Sequence, residues 1–455
     1  MKEQDKIPVT KMERAAKFMG AGVKMGGNYM KYYAKKLVDP NLSRDTLDQA
    51  NAADVYESLS ALKGSALKVA QMMSMDDSLL PKAYTDRFQM AQYNAPPLSY
   101  PLVAKTFRQF FGKTPEAIFD SFSKQAKNAA SIGQVHLAEK DGKKLAVKIQ
   151  YPGVANSVSS DLKMAKPIAL RLMNIKGKDL DKYMNEVEER LLEETDYKLE
   201  LKRSMELTQL CGHIEGLVFP KYYPEWSSER IITMDWIEGI HLSEWYKTNP
   251  TQADRDRIGQ LLWDFYSFQI HELKMVHADP HPGNFIITPA GELAVIDFGC
   301  IKEIPDDFYR NYFELMAPGL SDDKPRLIAL MRELDFILAD DTPQEQIYFQ
   351  GVFSKMIELL ARPFAQPVFD FGDKAYFAAI HALGDEVSSD KQFRKSNAAR
   401  GSQHGIYINR TYFGLYNMLH QIGARVKSGL PDGHWLFGND KIAETPVTGK
   451  KQKAA

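Results

Sequence analysis

Apolar positions along the chain change period, and the changes divide it into regions. From Ala53 to Met73, in ADVYESLSALKGSALKVAQMM, Val55, Leu59, Leu62, Ala66, Val69 and Met73 recur at steps of three and four. That spacing predicts a helix with one buried face. A further helical stretch carries Tyr84, Phe88 and Met90 and stops at Ala95-Pro96-Pro97. After Phe111-Gly112 the period shortens. Gly133–Ala138 and Leu145–Gln150 read as two strands around a Lys140-Asp141-Gly142 turn, a hairpin pattern. A long charged helix is expected from about Leu180 to Leu210, then a strand over Glu229–Met234. The remainder is helical in pattern, except for FIITP and ELAVIDF between Phe285 and Phe298, which form a second hairpin pattern.

The segment Thr10–Leu37 has a different texture. Lys17, Lys24 and Lys31 recur every seven residues, with Arg14 and Lys35 on much the same helix face. Met12, Phe18, Met19, Met30 and Tyr33 supply apolar surface, while Gly20, Gly22, Gly26 and Gly27 each weaken a helix by roughly 1 kcal/mol relative to Ala. Two readings stay open: a basic amphipathic helix on an anionic membrane surface or lipid headgroup, or a helix docked on the protein's own core.

Composition narrows the classes. The chain has 455 residues, enough for two or three packed units, and is 44% apolar and 26% charged with a formal net charge of −1. No basic excess points to nucleic acid as a partner. Two distant cysteines, Cys211 and Cys300, exclude a disulfide framework and have no zinc-site spacing. No run of about 18 apolar residues predicts a transmembrane helix. Glu3, Asp5 and Glu13 also argue against a transit peptide. The expected location is cytoplasmic or peripheral on a membrane.

The chemistry lies in HADPHPGNF, His277 to Phe285, whose prolines and glycine make it a loop. Asp279 and Asn284 stand five apart, the Asp-to-Asn spacing of the H-R-D-L-x-x-x-N loop of kinases. Downstream, Asp297-Phe298-Gly299 ends a strand-like run, so Asn284 and Asp297 offer hard oxygen donors suited to Mg²⁺ or Mn²⁺. Upstream, LAVKI puts Lys148 on a strand, as V-A-I-K does for the lysine that meets the α- and β-phosphates of ATP. Aligned on Val135, a kinase G-x-G-x-x-G-x-V loop becomes Asn128-x-Ala130-x-x-Gly133-x-Val135, with Ala129, Ala130 and Ser131 in place of a glycine-rich loop. MDWIEG fits an interlobe hinge, with Met234 behind an adenine ring and backbone groups near Asp235 and Ile237 bonding it. The run after Gly299 passes almost directly into a helical pattern, which leaves no long activation loop for a peptide substrate.

In these motifs the chain resembles the UbiB/AarF atypical kinases, a family implicated in ubiquinone and isoprenoid-lipid metabolism. The resemblance runs from about Arg14 to Leu419 through NAASIGQVH, KVAQ (Lys68–Gln71), EETDYKLE (Glu193–Glu200), HADPHPGNF, VIDFG and NRTYFGL. It implies a bilobal α+β protein-kinase-like fold, with a small β-rich N-lobe, a helical C-lobe and an N-terminal helical extension packed over the active site. The implied segments are a basic N-terminal stretch (1–45), the extension (46–115), the N-lobe (116–234), the C-lobe (235–440) and a disordered tail (441–455). Lys148 would bind phosphate, Glu200 would be its helix partner, Asp279 the catalytic-loop Asp, and Asn284 and Asp297 metal ligands. Lys68 and Gln71 would meet Glu194 and Asp196 over the site and regulate it. ATP or ADP with Mg²⁺ or Mn²⁺ is implied, serving an ATPase or a small-molecule or lipid phosphotransferase, with isoprenoid lipid as a partner. Two departures stand out: Ala70 replaces a family glycine and Asn128 a usual alanine. A phosphotransferase of the aminoglycoside or choline type, and a nucleotide-gated scaffold without turnover, are the competing readings.

Overall fold

The structure, a computed structural model, describes residues 8, 10–39, 43–62, 64, 66, 68, 82–89, 97–129, 132–172, 177–317, 320–390 and 400–429. Contacts divide the chain into two compact units. The first comprises Met1–Asn249, Asp279–Ile301 and Ser388–Ala399, and the second Pro250–Ala278, Lys302–Val387 and Arg400–Ala455. The fold is of the mixed α+β kinase-like class.

In the first unit, α1 (Lys11–Val38), α2 (Asp45–Leu62) and α3 (Lys82–Gln89) precede α4 (Tyr100–Phe111). A five-stranded antiparallel sheet follows, from β1 (Ser121–Phe122), β2 (Asn128–Ala129), β3 (Gly133–Lys140), β4 (Lys143–Gln150) and β6 (Ile231–Asp235). Its strand order is β1-β3-β4-β6, and β2 pairs with β3. Between β4 and β6 run α5 (Val154–Leu172), α6 (Gly177–Glu194), α7 (Tyr197–Cys211) and β5 (Leu217–Val218). A second sheet has the order β5-β9-β8-β7, with β7 at Ile240–His241, β8 at Phe285–Ile287 and β9 at Leu293–Val295.

The alternation along β4 decides where Lys148 points. Successive side chains of a strand face opposite ways. Leu145, Val147 and Ile149 are buried in a cluster with Val103 and Phe107 of α4, so Lys148 faces the other side of the sheet. A second cluster joins Phe18 and Met25 of α1 to Val55 and Leu59 of α2 and to Val158, Leu162 and Val187 of α5 and α6. The long charged helix expected from Leu180 to Leu210 is two helices. The chain breaks at Thr195-Asp196, where the Asp196 carboxylate caps α7 by accepting from the Leu199 N–H at 3.1 Å.

α1 remains one helix of 28 residues despite its four glycines, started by a capping box between Thr10 and Glu13. Arg14 is not part of the exposed basic row. It is buried, its Nε and Nη2 bonded to Asp161 of α5 at 2.6 and 2.5 Å, and it also donates to the Leu62 carbonyl at 3.1 Å. Packing against α5 selects that orientation, which spacing along α1 alone does not reveal.

The second unit is chiefly helical. It contains α8 (Gln252–Ser267), α9 (Asp306–Glu314), α10 (Lys324–Glu333), α11 (Pro343–Ala361), α12 (Lys374–Ser389) and α13 (Gln403–Ile422). A two-stranded ribbon joins β10 (Phe369–Asp370) to β11 (Arg425–Val426). Trp263 of α8 packs against Phe364, Phe371 and Tyr416. His271 has Tyr hydroxyls at both ring nitrogens, Tyr309 at 2.9 Å and Tyr412 at 3.3 Å. No described helix is long and apolar enough to cross a membrane.

The Arg14–Asp161 pair yields a stability prediction. Asp161→Ala leaves a buried guanidinium without its carboxylate, and destabilisation of about 3–5 kcal/mol is expected in urea unfolding. An apolar pair, Arg14→Met with Asp161→Leu, should recover most of that loss. A cost below about 1 kcal/mol for Asp161→Ala would show that the pair does not anchor α1.

Candidate active site

The site is built on four elements of the first unit. β4 presents Lys148, whose Nζ lies 2.6 Å from Glu200 Oε1 on α7 and 3.2 Å from Asp297 Oδ2. Burial by itself would lower the Lys148 pKa, but the Asp297 and Glu200 carboxylates hold it well above the usual lysine value. The ammonium is therefore charged at neutral pH. Burial pushes the Glu200 carboxyl up to about 7, against the opposing pull of Lys148.

The β8–β9 hairpin brings two further groups together. Val295 pairs with Phe285, and the Ile296 N–H donates to the Asn284 carbonyl at 3.0 Å. Asn284 and Asp297 therefore flank the same end of the hairpin. Asn284 Nδ2 donates to the Asp279 carbonyl at 3.0 Å, which leaves its Oδ1 as the acceptor end. Asp297 Oδ1 accepts from the Gly299 N–H at 2.8 Å, which fixes the carboxylate beside Lys148. Phe298 is buried, its ring 6.0 Å from that of Phe219. One amide oxygen and one carboxylate are donors of the kind a hard divalent cation takes alongside phosphate oxygens. Among the described residues, no three His, Cys, Asp or Glu side chains cluster as a protein-only metal cage.

The loop of Asp279 is held by its own residues. Pro282–Asn284 makes a turn of 3₁₀ helix, and the Gly283 N–H donates to His281 Nδ1 at 3.1 Å. A backbone N–H only donates, so Nδ1 is the bare nitrogen and the ring proton sits on Nε2. A Cβ at position 283 would lie 2.9 Å from His281 Nδ1, hence glycine there. Burial lowers the His281 pKa, Asp279 opposes this, and Lys68 and His241 add to it. In the second unit, His277 is buried. Its N–H donates to Gln269 Oε1 at 2.8 Å and its Nδ1 lies 3.4 Å from Tyr266 Oη.

Lys68 bonds Glu194 at 2.7 Å, at the last residue of α6. Gly64, four residues earlier, has φ +60°, and a Cβ there would lie 2.7 Å from Val154. Asp196, expected within the long charged helix, lies outside α7 as its exposed N-cap. Gln71, Ala70, Ala130 and Ser131 lie outside the described residues. Asn128 and Ala129 pair with Val135 and Gln134, alongside Gly133 at the start of β3. Met234 is buried in β6 opposite Ala146, and Asp235 accepts from Tyr223 Oη at 2.8 Å. Ile237 follows in the partly exposed stretch before Gly239, where a Cβ would meet the Ile287 carbonyl at 2.3 Å. Sequence reasoning missed Tyr197, whose ring centroid lies 5.4 Å from Lys148 Nζ. Its place three residues before Glu200 was the available signal.

The raised Glu200 pKa carries a sign. Its proton is held more tightly in the folded state, so its contribution to stability is full below about pH 4.5 and is lost as pH rises through about 7. Glu200→Gln should flatten the stability–pH curve between those values, by up to about 1.4 kcal/mol per pH unit. An unchanged slope in that variant would contradict the burial of an ionising group there.

The profile of the ABC1 atypical kinase-like domain matches residues 90–331. The chain is 27% identical to a probable serine/threonine-protein kinase abkA of Dictyostelium discoideum, over 94% of this chain and 80% of that protein. It is 26% identical to the mitochondrial atypical kinase COQ8B of Danio rerio, over 84% of this chain and 62% of that one. An aarF domain-containing chloroplastic protein of Arabidopsis thaliana is 29% identical, over 64% and 42%. The chain thus spans less than two thirds of the latter two proteins. Among solved structures, the Rv3197–erythromycin complex from Mycobacterium tuberculosis matches at a TM-score of 0.57 and 25% identity, over 85% of this chain and 96% of that one. With its profile match covering more than half its length, the chain belongs to the ABC1 atypical kinase-like family, the UbiB/AarF group.

Proposed function

We propose that this protein binds ATP with a divalent cation and transfers its terminal phosphoryl group to water, a small molecule or a lipid, in support of quinone or isoprenoid-lipid metabolism. The observation that carries the reading is Lys148, a largely buried cation held by Glu200 and Asp297 at 2.6 and 3.2 Å. A positive charge fixed in a partly dry site is what a polyphosphate needs. Lys148 would neutralise phosphate and Glu200 would hold it in position. Asp279 would orient the acceptor and take its proton. Met234, Asp235 and Ile237 would form the adenine side, and Asn128–Val135 the phosphate loop. Asn284 and Asp297 would hold Mg²⁺ or Mn²⁺, which when bound neutralises charge developing on the phosphate oxygens. Lys68, paired with Glu194 at 2.7 Å, would restrict access to the site. The names of the COQ8 relatives support the metabolic assignment.

A second reading, a small-molecule phosphotransferase, is favoured by the likeness to a protein solved with erythromycin. ATP consumption that depends on a macrolide, rather than on lipid, would select it.

The two faces of α1 support an anionic lipid surface as its partner. Phe18, Ala21, Met25 and Tyr32 are buried, while Met12, Met19, Val23, Met30, Tyr33 and Leu37 on the other side are 60–88% exposed. Lys17, Lys31 and Lys35 are exposed along one edge. Apolar surface bordered by lysines suits an anionic lipid surface.

Two outcomes are expected. Phosphate release from ATP should require Mg²⁺, and Asp297→Asn should reduce it by at least about a hundredfold, the scale on which loss of one electrostatic group slows catalysis. Full Mg²⁺-dependent turnover in that variant would refute the site. Vesicles containing anionic lipid should bind the wild type and lose the variant with Lys17, Lys31 and Lys35 changed to Glu, each lysine contributing about 1 kcal/mol. Arg14 and Lys24 are left intact because they are bonded to Asp161 and Glu57. Equal binding by both proteins would reject the lipid partner.

A further inference from the structure

Tyr197 occupies the first turn of α7, three residues before Glu200, so the two side chains share one helix face. Its side chain is fully buried. The ring lies beside the Lys148 ammonium, and the hydroxyl reaches the start of β3. A Cβ added to Gly133 would lie 2.8 Å from Tyr197 Oη and 2.7 Å from the Ile149 carbonyl. Tyr197 is therefore one of two reasons that the last position of the phosphate loop is glycine.

The hydroxyl has no hydrogen-bond partner among the described residues. A buried hydroxyl in that state is destabilising, and phenylalanine would fill the same volume without that penalty. Burial raises its pKa far above the usual tyrosine value, so the group is a neutral O–H with a proton to donate. The hydroxyl lies by Gly133, the last residue of the proposed phosphate loop, and the ring lies 5.4 Å from the proposed phosphate-binding Lys148 Nζ.

We propose that Tyr197 is a nucleotide-binding residue whose hydroxyl donates to a phosphate oxygen of ATP once Lys148 has drawn the polyphosphate beneath Gly133. The inference rests on the assignment of Lys148 as the phosphate-binding cation. It adds a specificity element, because the bond discriminates phosphorylated nucleotide from the nucleoside.

Calorimetric binding of Mg-ATP and of adenosine is measured for wild type, Tyr197→Phe and Lys148→Ala, with thermal unfolding of each in the absence of nucleotide. Tyr197→Phe should melt at or above the wild-type temperature, bind Mg-ATP about tenfold more weakly, the size of one hydrogen bond to a charged acceptor, and bind adenosine equally well. Unchanged Mg-ATP affinity would overturn the proposal, as would an equal loss of adenosine affinity. A lowered melting temperature would also overturn it, by showing that the hydroxyl is already bonded in the nucleotide-free protein. If Lys148→Ala loses Mg-ATP while Tyr197→Phe retains it, Tyr197 alone is misassigned. If Lys148→Ala retains full affinity, the nucleotide site itself is misplaced.

Discussion

The site depends on one largely buried lysine shared by two carboxylates. Lys148 is brought to Glu200 by a helix and to Asp297 by the end of a hairpin, so three elements distant in sequence are tied at one ammonium. Removing such a cation from water is unfavourable unless its charge is matched, and here two carboxylates match it. The arrangement carries more negative than positive charge locally. Burial raises the Glu200 carboxyl to about 7 against the pull of Lys148, and Asp297 is partly exposed.

The backbone around this point is arranged so that few side chains could be exchanged. Gly133, Gly239 and Gly283 each sit where a Cβ would strike a carbonyl or a ring within 3 Å. Asp297 is fixed by the Gly299 N–H, and Asn284 by the Asp279 carbonyl. These local bonds orient the oxygen donors before any ligand arrives, which limits the reorganisation that binding requires.

Much of this could be read from residues in order along the chain. The LAVKI pattern placed Lys148 on a strand, and the strand-like runs marked both hairpins. Properties set by distant partners could not be read. Arg14 looked like one of a row of surface cations until Asp161, 147 residues away, showed it to be buried. The break at Thr195-Asp196 was hidden in a helix-rich run of charges, because a single capping carboxylate ends one helix and starts the next. The helix Val154–Leu172 carried no motif and went unread, although it holds Asp161 and much of the core against which α1 rests. Tyr197 was passed over because a buried tyrosine within a charged motif reads as packing until the surroundings of its hydroxyl are seen.

The central claim is that Lys148 meets the phosphates of ATP. The most direct measurement is labelling with an ATP acyl phosphate, which acylates lysines lying against the bound polyphosphate, followed by peptide mapping by mass spectrometry with and without competing Mg-ATP. The account predicts acylation of Lys148 that Mg-ATP suppresses. Labelling confined to other lysines, with Lys148 unmodified and Mg-ATP still protecting, would contradict it.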